Sequence, residues 1–425
     1  MGAAAEASGR SSTAIGSGGV ASRPVIAAGG FSTAIGTGSQ TDKGATGSVA
    51  LGDFNKVGAT GSFGAAIGAF STVNATSGLA IGNSATVTLG STDGMALGTA
   101  ALASKSAAVA MGRLAEAGGE FSTAIGSLSR ASAEGASAFG GDSQAAGTFS
   151  TALGAISTAT GANSTAVGGG PTAATSARAT GANSSAFGSN SLASGDGSVA
   201  IGFGSSSTGL NSIAIGTGAT ATGSVAIGAA SSASNGGSAF GDASIATGSN
   251  AVAIGNGASA TFANSAAIGP GAATTRANQV VVGTATNTYT MPGITSAASL
   301  AAQTGPVSLV TTDASGNLAA ANINIPDISG LQNNVALLQG HVASLQSQMR
   351  QSFEGTAMAI AMGGSALPGD KRFAISTNWG TFRGENAAAF LAQARVTDNI
   401  VLNGGVAMGF AQGGVGGRAG VTFAW

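Results

Sequence analysis

The chain has 425 residues, a net charge of −1 and only 7% charged residues, whereas Gly alone accounts for 73 positions. So few Lys and Arg give no electrostatic footprint for nucleic acid or for an anionic membrane surface. The absence of Cys excludes disulfides, thiol catalysis and cysteine metal sites, and the abundant small residues can build only thin layers of closely stacked backbone.

Residues 1–6 contain neither the basic region nor the apolar region of a signal peptide. A repeat is already under way at residues 11–16. We therefore expect the sequence to begin within the repeat array, and we expect secretion only once an N-terminal signal is restored. No run of 18 or more apolar residues occurs, so no transmembrane helix is predicted.

Residues 7–283 carry a repeat whose best example is the pentad Ser224-Val225-Ala226-Ile227-Gly228. Its copies end in a small residue, an apolar residue and a motif glycine; 19 such glycines occur, and 11 of the 18 intervals between them are 14 residues long. A fixed period of this kind is typical of a solenoid. Fourteen residues suffice for two short strands and two tight turns, so we predict a flattened parallel β-solenoid with the glycines stacked at a corner.

Within the pentad, Val225 and Ile227 face one side and Ala226 the other, because strand side chains alternate. We interpret the branched side as the interior and the Ala side as a surface that packs against another chain. Ile227→Asp should then be far more damaging than Asp242→Ser. The two 20-residue intervals contain Pro24 and Pro171 and predict loops that leave the stack.

From residue 284 to 326 the period fails, and the sequence around residues 307–318 predicts a hairpin that turns on Asp313 to Asn317. A helix is predicted to follow, with Asp327 as its N-cap. About three heptads are formed by Ile328, Leu331, Val335, Leu338, Val342, Leu345 and Met349. This seam favours a coiled coil, but three heptads are too few to fix the number of helices. His341 lies beside the seam and is expected to be solvated.

Four alternating segments follow at 371–383, 386–396, 400–410 and 415–425, each with an oily face and a face of small or polar residues. The oily face of a soluble sandwich would alternate in the same way. Strands of about ten residues, an aromatic terminus and a face with almost no bulk favour a membrane β-barrel. The residues predicted for the lumen and the anchor are Gly405, Gly409, Gly416, Gly420 and Trp425.

Four strands cannot close into a barrel, and eight strands enclose a lumen that side chains fill. Twelve strands, from three chains, leave room for helices to pass. The strand count therefore predicts a trimer.

With this order of elements the chain resembles the YadA-like family of trimeric autotransporter adhesins, through its Ser-Val-Ala-Ile-Gly repeats over residues 11–283 and an anchor over about 352–425. The resemblance implies a left-handed β-roll head at 1–283, a connector at 284–326, a coiled coil and pore helix at 327–362 and an outer-membrane barrel of twelve strands at 363–425. It also implies a homotrimer that exports its own head, with outer-membrane lipid, the barrel-assembly machinery and a host matrix or cell-surface ligand as partners. Leu391 departs from the family's pattern, because it adds bulk to the small face.

The leading functional hypothesis is a surface adhesin whose repeats multiply weak contacts into avidity. Two alternatives stay open: a spacer that carries a binding head from elsewhere, and a β-helical carbohydrate-active enzyme. The head has no His, and its acidic residues have no recurring partner, which argues against catalysis. We predict no catalytic, cofactor-binding or metal-binding residues; the ligand-binding residues are unknown.

Overall fold

The computed structural model describes residues 4–17, 24–305, 307–321 and 325–425, with the side chains of 325–328 left out. The chain divides into two units, Met1–Tyr289 and Thr290–Trp425. Each unit is described by itself.

The first unit is the predicted parallel β-solenoid, built from two sheets that run along the stack. Each strand pairs in parallel with its equivalents one coil earlier and one coil later, so that Ala80 lies opposite both Ala66 and Ala96. The predicted fold of this region is therefore confirmed.

The sheet that contains the pentads, here called the motif sheet, has 19 strands among the described residues: Thr13–Ile15, Thr33–Ile35, Val49–Asp53, Ala65–Ala69, Leu79–Asn83, Met95–Leu97, Val109–Met111, Thr123–Ile125, Ser137–Phe139, Thr151–Leu153, Thr165–Val167, Ser185–Phe187, Val199–Ile201, Ile213–Ile215, Val225–Ile227, Ser238–Phe240, Val252–Ile254, Ala266–Ile268 and Val280–Val282. The second sheet has 18 strands in the same part of the chain: Ala5–Glu6, Val25–Ala27, Gln40–Thr41, Lys56–Val57, Thr72–Val73, Thr86–Val87, Leu102–Ala103, Glu116–Ala117, Arg130–Ala131, Gln144–Ala145, Thr158–Ala159, Arg178–Ala179, Leu192–Ala193, Ser206–Ser207, Thr220–Thr222, Ser232–Ser234, Ile245–Ala246 and Ser259–Ala260.

The structure reverses the predicted faces of the motif strands. Ala226 is fully buried between the two sheets, whereas Val225 and Ile227 are half-buried and lie on the outside. The motif strands place Ala between the two sheets, and the largest fully buried apolar side chains there are those of Val25, Val57, Val73 and Val87 in the second sheet. The short corners leave little room between the sheets, so the branched residues of the motif strands are displaced outward. The expectation for Ile227→Asp was based on the wrong face. Asp242 is also more than a surface charge, because its Oδ1 accepts a hydrogen bond of 2.8 Å from the Ala229 N–H in the preceding coil.

The motif glycines form the predicted column. Gly126 has a φ of +134°, and a Cβ added to it would lie 2.4 Å from the carbonyl oxygen of Gly140 in the next coil. Only Gly tolerates both this backbone conformation and this approach. The carbonyl of Gly126 also accepts a hydrogen bond from the Ser129 hydroxyl at 2.9 Å, which ties the corner to the buried edge of the coil.

The loop predicted at Pro171 is present. A 3₁₀ turn at Ala173–Thr175 lies outside the two sheets, and the stack resumes when the N–H of Ala177 donates to the carbonyl of Gly168. Pro24 lies at the end of the other predicted loop, whose residues 18–23 fall outside the described part of the chain.

The second unit begins with a 3₁₀ turn at Pro292–Thr295, a short helix at Ala297–Ala301 and a hairpin of Leu309–Thr312 and Leu318–Ala321. The hairpin was predicted, and its turn is held by Asp313, whose Oδ1 accepts from the N–H groups of Ser315 and Asn317 at 2.9 Å.

A long helix covers Ile325–Ala361. Asp327 is therefore inside the helix and is not its N-cap. Pro326, at the second position of the helix, has no N–H group, which is tolerated in the first turn because N–H groups there have no partner within the helix. No helix among the described residues combines the length and the apolarity needed to cross a membrane.

The chain ends in an antiparallel sheet of four strands in sequential order, Phe373–Phe382, Glu385–Thr397, Ile400–Gly409 and Val415–Phe423. The helix packs against one face of this sheet.

The thin interior of the solenoid can be tested with two adjacent positions. Ala221 is fully buried, whereas Thr220 is exposed on the outside of the second sheet. Ala221→Leu should lower the free energy of unfolding of the head by about 1–3 kcal/mol through overpacking. Thr220→Leu, which introduces the same side chain, should change it by less than about 0.5 kcal/mol. Denaturant unfolding followed by circular dichroism measures both, and equal effects would contradict the assigned interior.

Candidate functional sites

The outside of the motif sheet is an apolar stripe along the whole solenoid. The residue before each motif glycine is Ile, Leu, Met, Val or Phe, and examples such as Ile15, Leu153 and Ile254 are 52%, 47% and 43% exposed. The outside of the second sheet is mostly polar and carries ion pairs between coils, such as Lys56–Asp42 at 3.5 Å and Arg130–Glu116 at 3.6 Å. One side of the solenoid is thus suited to water and the other to an apolar partner.

The two faces of the C-terminal sheet differ as predicted. On the oily face Phe373 is 76% exposed and Trp379 is 63% exposed. The small face lies beneath the helix, where Ala389, Leu391 and Ala407 are buried together with Ala361 of the helix. The sheet therefore has large exposed hydrophobic residues on one face and a row of small residues, covered by the helix, on the other.

Glycines allow the helix to approach the sheet closely. A Cβ added to Gly380 would lie 2.1 Å from the carbonyl oxygen of Ala357, and one added to Gly409 would lie 2.1 Å from Cδ of Glu354. Gly409 was among the predicted lumen residues. Gly380 was not, although a single Gly inside an otherwise continuous strand is a signal for close backbone approach.

Glu354 is a buried acidic side chain that the sequence reasoning missed. Its side chain is 1% exposed, and its carboxylate accepts hydrogen bonds from the N–H groups of Ala411 at 2.7 Å, Gln412 at 3.0 Å and Gly414 at 3.5 Å. The turn between the third and fourth strands thus wraps its backbone donors around the carboxylate. Such donors satisfy a buried charge, and the contact holds the turn to the helix.

The other hairpin at this end of the sheet is also held to the helix. Phe353 packs edge-to-face on Phe382 with ring centroids 5.7 Å apart, and Arg350 lies 3.9 Å from Glu385. Both turns on this side of the sheet are therefore fixed to the helix segment around residue 354.

After the helix, the chain crosses the small face of the sheet. Side chains from three strands donate hydrogen bonds to the backbone carbonyl groups of this segment. Arg418 Nη1 donates to the carbonyl of Met362 at 2.7 Å, and Gln393 Nε2 donates to that of Ser365 at 2.9 Å. Asn378 Nδ2 donates to the carbonyl of Gly364 at 3.3 Å. These polar residues on the small face therefore satisfy backbone carbonyl groups of a segment that has no regular helix or sheet partner.

The remaining predicted residues lie at different places. A Cβ on Gly416 would be 3.5 Å from Cε of Met362 on the helix, and one on Gly420 would be 2.7 Å from Oδ1 of Asn403 on the neighbouring strand. Trp425 follows the last strand by two residues and is fully exposed.

Leu391, the departure from the family's pattern, is accommodated by Gly405. The two residues are directly opposite each other on the second and third strands. Leu391 is 3% exposed, and a Cβ on Gly405 would lie 2.6 Å from its Cδ2. The bulk added at one position therefore occupies the space left at the other.

The heptad residues of the helix face solvent in the single chain. Leu331, Val335, Leu338 and Leu345 are each at least half exposed, and His341 is exposed beside them. Within the described ranges, no three His, Asp or Glu side chains come together in a way that could hold a metal ion.

The contact between Gly409 and Glu354 predicts a measurable change. Gly409→Ala should displace the carboxylate and release the turn at residues 411–414, so amide hydrogen exchange there should accelerate. Gly404→Ala lies on the same strand and is a matched control, because its nearest contact would be 3.5 Å, an ordinary van der Waals distance. Exchange is followed by mass spectrometry, and equal protection in both variants would contradict the described packing.

Comparison with protein-family models matches residues 365–425 to the YadA-like membrane anchor domain. The YadA head domain repeat matches residues 1–18, 27–55, 91–115, 103–129, 117–143, 131–155, 145–170, 179–205, 193–219, 207–231 and 246–272. Together these segments cover more than half of the chain. None of the curated proteins matches.

Six chains of solved structures match. Among them is the collagen-binding domain of the Yersinia adhesin YadA, at 26% identity over 51% of this chain and 86% of that domain. The TM-score is 0.21, so the likeness does not extend to the overall geometry.

Proposed function

The chain belongs to the YadA-like family of trimeric autotransporter adhesins, and we propose that it acts as a homotrimer on the bacterial surface, anchored in the outer membrane by a twelve-stranded barrel. The family is one of adhesins rather than enzymes. The proposal keeps the division into a left-handed head at 1–283, a connector at 284–326, a coiled coil and pore helix at 327–362 and an anchor at 363–425.

The proposed barrel anchor is supported by the four-stranded sheet and by the helix that packs on the small face of this sheet. In the described chain, the first strand pairs only with the second and the fourth only with the third. Both outer strands therefore present unpaired backbone groups, which cost several kcal/mol each in lipid. Three copies joined edge to edge remove all such edges, and twelve strands enclose a lumen wide enough for three helices.

The apolar stripe of the motif sheet supports the same stoichiometry for the head. Three stripes that face a common axis would bury the half-exposed branched residues and leave the polar second sheets outside. The heptad residues between Leu331 and Met349 would be buried in the same way in a coiled coil.

The proposed role of the head is to bind host matrix or neighbouring cells. The similarity to the collagen-binding domain makes an extracellular-matrix protein the first ligand to test. Repetition of one surface over three chains favours avidity through many weak contacts. We further propose that the barrel exports the head and that the barrel-assembly machinery inserts it.

The stoichiometry predicts the mass of the extracted protein. The full chain, supplied with a signal peptide and expressed in outer membranes, should be extracted in detergent as a complex of three chains when it is not heated. Multi-angle light scattering gives the mass of the protein part. A monomer or a dimer would contradict the barrel.

Binding separates an adhesive head from a spacer. Cells that display the chain should adhere to collagen, to other matrix proteins or to sister cells more than cells that display a variant lacking residues 30–270. If both adhere equally well, the repeats only provide length, and the spacer hypothesis is correct.

A further inference from the structure

The corners on either side of the motif sheet contain bulky residues in an unfavourable backbone conformation. We define column A as the residue two positions before each motif strand and column B as the residue two positions after each motif glycine. Nine bulky apolar residues with φ between +53° and +63° occupy these columns: Phe31, Phe63, Phe121 and Phe149 in column A, and Phe54, Phe70, Leu114, Leu128 and Ile156 in column B.

After Ile156 the same columns change character. They hold only Asn, Gly and Ala among the described coils: Asn163, Asn183, Gly197, Asn211, Gly223, Gly236, Asn250, Asn264 and Asn278 in column A, and Gly170, Asn190, Gly204, Gly218, Ala230, Ala243, Gly257 and Gly271 in column B. Gly and Asn are the residues that positive φ favours, whereas bulky and β-branched residues are outliers there. The coil itself therefore does not require Phe, Leu or Ile at these corners.

Packing inside one chain covers the aromatic residues only in part. Phe54 stacks on Phe70 with ring centroids 5.4 Å apart, and Arg10 lies 5.8 Å from the ring centroid of Phe31. The ring of Phe63 covers Gly47 in the preceding coil, where a Cβ would lie 3.0 Å from the ring, and Phe149 covers Gly135 in the same way at 2.4 Å. Even so, Phe63 is 70% exposed and Phe149 is 60% exposed. A residue that is both strained and exposed in the single chain points to a partner.

The later corners are satisfied within their own chain. Asn250 donates to Asn264 at 3.4 Å, and Asn264 donates to Asn278 at 3.2 Å, which forms a ladder along column A.

Columns A and B lie on either side of the apolar stripe. Threefold symmetry therefore determines which surface of the next subunit each column faces. When three identical faces surround a threefold axis, column A of each subunit lies against column B of the next.

Over the same coils, from Phe31 to Ile156, both columns carry bulky apolar residues at about every second position. The remaining positions hold small or acidic residues: Gly38, Gly47, Ser77, Ser84, Asp93, Ala100, Ala107, Gly135 and Asp142. Contact between the columns explains why the bulky residues occur in both columns and end at the same coil. A ligand at one corner would require an apolar residue in only one column.

We infer that the bulky residues of columns A and B in these coils are subunit contacts that seal the three edges of the head, whereas after Ile156 the two columns hold only Asn, Gly and Ala among the described coils and leave the edges unsealed. This inference rests on the proposed trimer and adds to it the residues that join one subunit to the next. The partner is a second copy of the chain.

Cross-linking tests the contact, because the chain has no Cys of its own. Column A contains Ala107, and column B contains Ala100 and Leu114, which lie seven residues before it and seven residues after it. In the proposed trimer, these column B residues of the next subunit should therefore lie at nearly the same level along the stack as Ala107. Ala100→Cys combined with Ala107→Cys, in the full chain in membranes, should give a covalent trimer under mild oxidation. Each single variant should give none, since a disulfide needs Cα atoms within about 7 Å and each column faces the other.

A second set of variants tests the aromatic residues without disturbing the fold. Phe63→Asn, Phe121→Asn and Phe149→Asn together introduce the residue that later coils use at the same corners, so each subunit should fold as before. In the cross-linking background this triple variant should lower the disulfide rate about tenfold or more, as expected when buried aromatic anchors are removed. Leu102→Asn, half-buried on the outside of the second sheet, is the control and should leave the rate unchanged.

The outcomes separate this inference from the proposed function. An unheated trimer without covalent product would overturn the edge contacts and leave the trimer standing. A monomer would overturn both. If the triple variant keeps the cross-link but loses adhesion to collagen or to cells, the corners face a ligand instead of a subunit, and the inference is wrong.

Discussion

The spacing between stacked coils governs the head. Parallel strands in neighbouring coils lie about 4.8 Å apart, and each coil is closed by corners of only a few residues. The space between its two sheets is therefore filled by Ala226 and its equivalents, and only the last described motif strand has a larger residue, Val281, at that position. The same spacing excludes a side chain at Gly126, whose Cβ would meet the next coil. The apolar residues that cannot enter are left on the outside, where they form the exposed apolar stripe of the motif sheet.

The C-terminal unit meets a different constraint, which is the need to satisfy every backbone group. The strands do so by pairing, and the irregular segment after the helix does so through Asn378, Gln393 and Arg418. The buried carboxylate of Glu354 serves the turn at 411–414 in the same manner. The small face thus does more than leave space for the helix, because its few polar side chains are placed where the segment after the helix needs hydrogen-bond partners.

The sequence was sufficient to predict the solenoid, the glycine column, the hairpin at Asp313 and the four strands, since each follows from a period or an alternation. It was insufficient to tell which side of a motif strand is inside. Alternation distinguishes Val225 and Ile227 from Ala226 but says nothing about the distance between the sheets, and the usual rule that branched residues are buried fails when that distance is small. Glu354 was missed because a single acidic residue in a helix resembles a solvated one. The pairing of Leu391 with Gly405 depends on strand register, which no local pattern specifies.

An interior of methyl groups also has a thermodynamic consequence. The heat capacity change on unfolding arises mainly from apolar surface that becomes exposed to water. A head whose cohesion comes from backbone ladders, with little more than Ala side chains between its sheets, exposes little such surface per residue when a subunit unfolds. Its stability should therefore change only gradually with temperature, and the molecule is built to keep its length and stiffness in cold surroundings as well as in warm ones.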